Sequence, residues 1–258
     1  MARTILSVFF LMYSLLCYAM PLGFRMSMQS HNYKYSPTRV EVSVTAGEKI
    51  HFDVLVYDDD VCTIDWGDGS ADSYDGAYFA DEDGYYMPNH TYSESGVYVV
   101  SILSDADIGE WDFGIVSFFD KDDNTSVTRV LEWGDNIGDL IYACSQKSSG
   151  YVYSNCANLR SIPADFKNVG NICGAFYGCT KLESIPAWGG VTNAWHAYAG
   201  CTGVTSVWKG ATLETLMPDS VTSHEGAVTN SSEFLQSLFY PEWGGTRSRD
   251  SSSSESNR

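Results

Sequence analysis

Hydrophobic and polar residues alternate in two neighbouring stretches near the start of the chain. Three valines fill alternate positions over residues 40–44, and apolar residues fill alternate positions over residues 50–56. A period of two predicts strands that bury one face, because successive side chains of a strand point to opposite sides. The intervening Ala46-Gly47-Glu48 predicts a turn between the two strands.

Further strands are predicted at residues 62–66, 96–102 and 114–119, which are rich in β-branched and aromatic residues. The first of them runs into Gly67-Asp68-Gly69, and an Asp-Gly pair favours a tight turn. We therefore expect the first half of the chain to be all-β.

A short sequence motif that contains cysteine recurs in the second half of the chain. Cys156, Cys179 and Cys201 follow one another at intervals of 23 and 22 residues, and Ser-Ile-Pro follows the first two copies. A period of roughly 20–29 residues is typical of leucine-rich-repeat solenoids. Stacking would separate equivalent residues by roughly the 4.7–4.9 Å strand spacing, too far for a disulfide bond. We therefore predict a ladder of free, buried thiols at these three positions.

The repeat is no longer recognisable after Trp208, and residues 231–240 predict a short helix with Ser232 as its N-cap. Four apolar residues share one face of this helix and are a candidate assembly face for a neighbouring copy: Phe234, Leu235, Leu238 and Phe239. Residues 244–258 are Ser-rich and charged, so a disordered tail is predicted there.

The chain has 258 residues and a formal net charge of −18. Such acidity repels phosphate backbones, so we do not expect a nucleic-acid partner. It suits solubility outside a cell, or cation binding. The sequence has no Cys-x-x-Cys motif and no Cys/His cluster, so metal binding by its cysteines is not expected.

Residues 1–19 have the pattern of a secretory signal peptide. Arg3 precedes an apolar run over residues 5–16, and Cys17 and Ala19 are small residues at a cleavage site. A transmembrane anchor is the alternative, but the run is shorter than the roughly 20 residues that span a bilayer. We therefore predict export without a membrane span after removal of the signal, and a leader or linker at residues 20–38.

Two groups of residues are candidate ligand sites. Aromatic side chains crowd the loop over residues 71–88 and could bind a glycan or a protein through their flat faces: Tyr74, Tyr78, Phe79, Tyr85 and Tyr86. Asp120, Asp122 and Asn124 are candidate calcium ligands, because their alternate spacing copies the start of an EF-hand loop. Thr125 then replaces the required glycine, so a solvated turn remains the alternative.

Catalytic motifs are lacking. The five histidines are scattered, and none lies in a nucleophile or metal motif. We therefore expect a protein that is not an enzyme and that has no cofactor, with calcium as the one candidate.

Two phrases of the first half resemble the signature segments of PKD domains, which are immunoglobulin-like β-sandwiches of extracellular proteins. They are Ile64-Asp65-Trp66-Gly67-Asp68-Gly69-Ser70 and, from His90 to Val100, a segment that begins His-Thr-Tyr. The resemblance implies a sandwich over residues 39–126, with Trp66 in its core. Tyr92 would brace a loop as a tyrosine corner does.

Residues 127 to about 207 resemble the BspA-like leucine-rich repeats of bacterial and phage-associated surface proteins, and the predicted domain with its cap covers residues 127–243. The resemblance begins at Val127-Thr128-Arg129-Val130-Leu131-Glu132-Trp133-Gly134 and includes Ala175-Phe176-Tyr177-Gly178-Cys179. It implies a mostly β chain, in which an immunoglobulin-like sandwich is followed by a short solenoid with a C-terminal cap.

These features together predict an exported, secreted or cell-surface protein that acts in adhesion, in glycan or protein binding, or in extracellular assembly. One alternative is a fibre or decoration protein on a phage virion surface, which would retain residues 1–19. Another is a subunit that self-assembles into a filament or layer, since short solenoids leave ends that need covering.

Overall fold

A computed structural model describes residues 35–51, 53–55, 61–75, 85–86, 88–104, 116–117, 126–135, 145–148, 151–164, 170–187 and 189–248. Strands dominate these residues, and the helices among them are short. Antiparallel pairing prevails in the described sheets. The predicted mostly β class is therefore confirmed.

The largest described sheet has five strands in the order β10-β1-β8-β4-β5, and its neighbours are all antiparallel. Residues alternate between buried and more exposed positions along β1, as the valine pattern predicts. The strands are β1 (Thr38–Val44), β4 (Val61–Asp65), β5 (Ala71–Asp75), β8 (Gly96–Ser104) and β10 (Val127–Glu132).

Two smaller sheets accompany it. One pairs β2 with β7, and the other has the order β6-β3-β9. The strands are β2 (Lys49–His51), β3 (Asp53–Leu55), β6 (Tyr85–Tyr86), β7 (Asn89–Thr91) and β9 (Val116–Ser117). Gly47, in the turn before β2, has a positive φ of 85°. The predicted strand, turn and strand are thus present.

Strand β10 joins the first half of the chain to the second. On one side it pairs with β1, and on the other Arg129 forms a parallel bridge to Ser161. The N–H of Val130 donates to Ser161 at 3.0 Å, and Arg160 donates to the carbonyl of Thr128 at 2.9 Å. The predicted domain boundary at residue 127 therefore falls at the start of a strand that belongs to both halves.

The same row of backbone bonds continues through the second half. Glu183 donates to Arg160 at 3.0 Å, and Thr205 donates to Glu183 at 3.1 Å. The two short strands beside these residues, β13 (Ser184–Ile185) and β14 (Ser206–Val207), are parallel. Equivalent residues of successive copies thus lie side by side.

The structure contains a copy of the repeat that the sequence pattern missed. Residues 171–179, 193–201 and 223–231 are three equivalent segments, which we call the repeat segments. The third has Ser231 where the others have cysteine, and it follows Cys201 by 30 residues. The expectation that the repeat fades after Trp208 is therefore wrong.

Each repeat segment is a series of tight turns, and each of the first two donates hydrogen bonds to the segment that follows it. In the first, alternate residues donate across the interface: Ile172 to Asn193 at 2.8 Å, Gly174 to Trp195 at 2.8 Å, Phe176 to Ala197 at 2.9 Å and Gly178 to Ala199 at 2.8 Å. In the second they do the same: Ala194 to Ser223, His196 to Glu225, Tyr198 to Ala227 and Gly200 to Thr229.

The core between these segments contains stacked apolar side chains. The rings of Phe176 and Tyr198 are nearly parallel, and their centroids lie 5.2 Å apart. The ring centroids of Trp133 and Phe176 lie 6.5 Å apart. All three are almost fully buried. One continuous core therefore runs from the residue after β10 into the repeat segments.

The cysteines Cys156, Cys179 and Cys201 are all buried, with free thiols. Burial raises the pKa of Cys179 and of Cys201 well above the ordinary thiol value. The Cys201 thiol donates to the carbonyl of Phe176 at 3.0 Å. In the last repeat segment, the equivalent Ser231 donates its hydroxyl to Val228 at 2.6 Å.

This geometry predicts that Cys201→Ser is nearly neutral. The hydroxyl can donate to the same Phe176 carbonyl, so the penalty of roughly 1–3 kcal/mol for an unpaired buried hydroxyl should not arise. We expect a loss of less than about 1 kcal/mol in the free energy of unfolding, measured in urea. A loss above that range would show that Phe176 is not an acceptor at this site.

The C-terminal end confirms the predicted helix cap. Helix α2 (Glu233–Leu238) begins after Ser232, whose side chain accepts from the N–H of Leu235. A 3-10 turn, η1 (Pro241–Trp243), follows, and the Trp243 carbonyl accepts from Val228 of the last repeat segment at 3.0 Å. The remaining elements are β11 (Ser145–Ser148), β12 (Tyr151–Asn155) and α1 (Leu213–Leu216).

Candidate functional site

The residues predicted to bind ligands fall mostly outside the described part of the chain. Tyr74 lies in β5, and Tyr85 and Tyr86 form β6, but the structure describes only their backbone. Tyr78 and Phe79 lie outside the described residues. So do the candidate calcium ligands Asp120, Asp122 and Asn124. These sites remain predictions.

The candidate assembly face lies largely inside this chain. Leu235 and Phe239 are fully buried, and Leu238 packs partly buried against the core. Phe234 is 38% exposed. A neighbouring copy could therefore reach Phe234, whereas Leu235 and Phe239 are buried within this chain, Phe239 beside Trp243 of η1.

The two phrases that resemble a PKD signature meet in the structure. Trp66 is fully buried, and its carbonyl accepts from the Tyr92 hydroxyl at 2.9 Å. His90 stacks on Trp66 at 5.1 Å, and its Nε2 lies 2.7 Å from an Asp68 carboxylate oxygen. Tyr92 thus ties strand β7 to the end of β4, and the group acts as a structural brace.

The carboxyl groups of Asp68, in this brace, and of nearby Asp65 have pKa values shifted in opposite directions. Burial raises the pKa of Asp68, but hydrogen bonds from Ser70 and His90 outweigh it, and the net shift is downward. Burial raises the pKa of Asp65 overall, despite a hydrogen bond from the Gly67 N–H.

These shifts predict opposite effects on acid stability. Asp68 stabilises the fold above its unfolded pKa of about 3.9, and this contribution disappears as the pH falls through its lowered folded value. Asp65 is penalised when ionised, so the fold regains stability as the pH falls through its raised pKa. We expect Asp68→Asn to shrink, and Asp65→Asn to enlarge, the loss of unfolding free energy between pH 6 and pH 3. Urea titrations at both pH values measure this, and shifts of the same sign would contradict the assignment.

A cleft of about 590 Å³ opens at the end of the repeat segments, between the last segment and η1. The lining residues are His196, His224, Glu225, Gly226, Thr229, Pro241, Glu242 and Gly244. We call it the terminal cleft. Its charged lining side chains are carboxylates, accompanied by two imidazoles.

The imidazoles are held by close packing. His224 stacks on Trp243 at 4.2 Å with nearly parallel rings. His196 has a φ of 51°, an unusual value for a residue with a side chain. Its ring lies directly over Gly226, where an added Cβ would stand 2.7 Å from the ring Nδ1. Gly226 therefore makes room for the ring of His196.

The electrostatics of the terminal cleft favour neutral imidazole at His196. Burial lowers the pKa of His196, although Glu225 raises it in part. The Nδ1 atoms of His196 and His224 are buried, and neither has a hydrogen-bond partner in the described part of the chain. Neutral imidazole carries one donor and one acceptor nitrogen, so the His196 ring can bind a polar group.

The floor of the terminal cleft also carries backbone donors. His224 and Gly226 are equivalent to Ala194 and His196, whose N–H groups bind carbonyls of the next segment at 2.7 and 3.1 Å. In the described structure, no protein acceptor faces the N–H of His224 or Gly226. The cleft thus has the donors of a repeat interface without a following repeat.

Sequence reasoning missed this site because it missed the last repeat segment. The sequence did contain a signal, because alanine is the fifth residue of every repeat segment. These alanines are Ala175, Ala197 and Ala227. Aligning on alanine rather than on cysteine would have placed His196 and Gly226 at equivalent, adjacent positions.

No family model, curated protein or solved structure matches this chain. Within the described ranges, no group of three or more His, Cys, Asp or Glu side chains is arranged to hold a metal ion. Helices in the same ranges are all too short or too polar to cross a membrane.

Proposed function

We propose that this is an exported, non-enzymatic surface protein that binds a protein or glycan. In this proposal the first half is a PKD-like sandwich and the second a short leucine-rich-repeat-like solenoid. The observation that carries it is the row of backbone hydrogen bonds from Thr128 through Arg160 and Glu183 to Thr205. Such stacking builds a rigid, elongated surface, and repeat proteins use surfaces of this kind for binding.

Other features support the finer fold assignment. The Tyr92 hydroxyl donates to the upstream backbone carbonyl of Trp66, and the hydroxyl of a tyrosine corner likewise donates to upstream backbone. Parallel bridges link Asn171 to Asn193 and Asn193 to Ser223, which is the geometry of stacked repeats. The net charge of −18 favours solubility outside a cell.

Export is tested on the natural protein from its own source. Biotinylation of intact cells with a reagent that cannot cross membranes should label the protein, and sequencing of its N-terminus should begin at Met20. An unlabelled protein that begins at Met1 would reject export, and its recovery in purified virions would favour the phage alternative.

A further inference from the structure

We propose that the terminal cleft binds a basic peptide segment of a partner protein, whose backbone carbonyls occupy the places of a following repeat. This inference deepens the proposed binding role and rests on it. It starts from the two backbone donors at His224 and Gly226, which continue the pattern of the two preceding interfaces.

The spacing of the donors selects a peptide backbone. At each repeat interface, two N–H groups separated by one residue bind carbonyls that are also separated by one residue: Asn193 and Trp195 at the first, Ser223 and Glu225 at the second. An occupant of the terminal cleft must match this spacing to satisfy both donors. A peptide can do so through its main-chain carbonyls, the kind of hydrogen bond by which peptides bind an exposed backbone edge.

The turn η1 leaves room for such a segment. Trp243 supplies one carbonyl, to Val228, and thereby covers one part of the last repeat segment. The terminal cleft lies over the part that carries His224 and Gly226. The volume of about 590 Å³ suits a few residues of peptide.

The charges of the terminal cleft select basic side chains. Glu225 and Glu242 line it, and no Lys or Arg is among its lining residues. Glu225 is exposed at the rim, where an ammonium or guanidinium group of the peptide can reach it. The net charge of −18 adds a long-range attraction for basic partners.

A labelling scheme makes Gly226 directly observable. Glu225-Gly226 is the sole Glu-Gly pair of the sequence, so protein made with ¹³C-carbonyl glutamate and ¹⁵N-glycine gives one filtered amide resonance. The probe is an octapeptide of alternating glycine and lysine, added to the full chain at low ionic strength. We expect saturable binding and a downfield shift of the Gly226 amide proton as it gains a carbonyl acceptor.

Matched variants test the charge contribution. Glu225→Gln should weaken binding by about two- to fivefold, the loss expected of one exposed ion pair. Glu183→Gln removes the same charge from an exposed position in another part of the repeats and should leave the affinity unchanged. A glycine-glutamate octapeptide should not bind.

Several results would overturn the proposal. These are no saturable binding up to about 1 mM peptide, binding that leaves the Gly226 resonance in place, or equal weakening by the two glutamine variants. A Gly226 shift that depends on protein concentration alone would assign the cleft to a second copy of this chain. None of these outcomes bears on surface location, which biotinylation and N-terminal sequencing test separately.

Discussion

Replacing Gly67 with alanine should destabilise the protein by about 2–5 kcal/mol, the sum of a left-handed backbone cost and an overpacking cost. Gly67 has a φ of 81°, which penalises any residue with a Cβ. An added Cβ would also stand 2.5 Å from the carbonyl oxygen and 3.0 Å from the nitrogen of Val99. Both atoms belong to the backbone of β8, so the sheet itself would have to move.

Gly47 provides a matched control. Its φ of 85° is nearly the same, but an added Cβ there meets no atom within 4 Å. Gly47→Ala should therefore cost only the left-handed backbone term of about 1–2 kcal/mol. The difference between the two variants, measured by urea unfolding, isolates the contact with Val99. Equal midpoints for the two variants would show that Gly67 does not lie against β8.

The sequence was most informative where a local pattern and a buried contact agree. The alternation of valines predicted β1 because its inward positions are those that pack against the core. Tyr92 was predicted to brace a loop from a resemblance alone, and its partner could be named only in the structure. That partner is the backbone carbonyl of Trp66, and a carbonyl leaves no mark on sequence.

The terminal cleft could not be predicted from the cysteine pattern of the sequence, and the reason is physical. Cys201 and Ser231 are both small, buried side chains that donate to a backbone carbonyl, Cys201 to Phe176 of the preceding segment and Ser231 to Val228 of its own. The positive φ positions of the repeat accept several residues: glycine at 174, 178, 200 and 226, His196 and Asn230. A search for identical letters therefore loses the last repeat segment, while its backbone keeps the same conformation.

The repeat stack itself makes a second large prediction, at Gly203. An added Cβ there would stand 3.1 Å from the carbonyl oxygen of Leu182 and closer still to that of Thr180. Both oxygens belong to the neighbouring copy of the repeat, so the copies would have to separate. We expect Gly203→Ala to lower the free energy of unfolding by about 1–3 kcal/mol, as overpacking does.

Gly190→Ala is the matched control, because it replaces a glycine without creating a contact of this kind. An added Cβ at Gly190 meets no atom within 4 Å, and its φ is not in the left-handed region. Gly190→Ala should therefore be neutral, or stabilising by about 0.4–1 kcal/mol through the lower entropy of the unfolded chain. Urea unfolding followed by tryptophan fluorescence compares the two variants. If Gly203→Ala were as stable as Gly190→Ala, the repeats could not be stacked in the register that joins Thr205 to Glu183. The terminal cleft, whose donors are assigned by the same stacking, would then lose its basis as well.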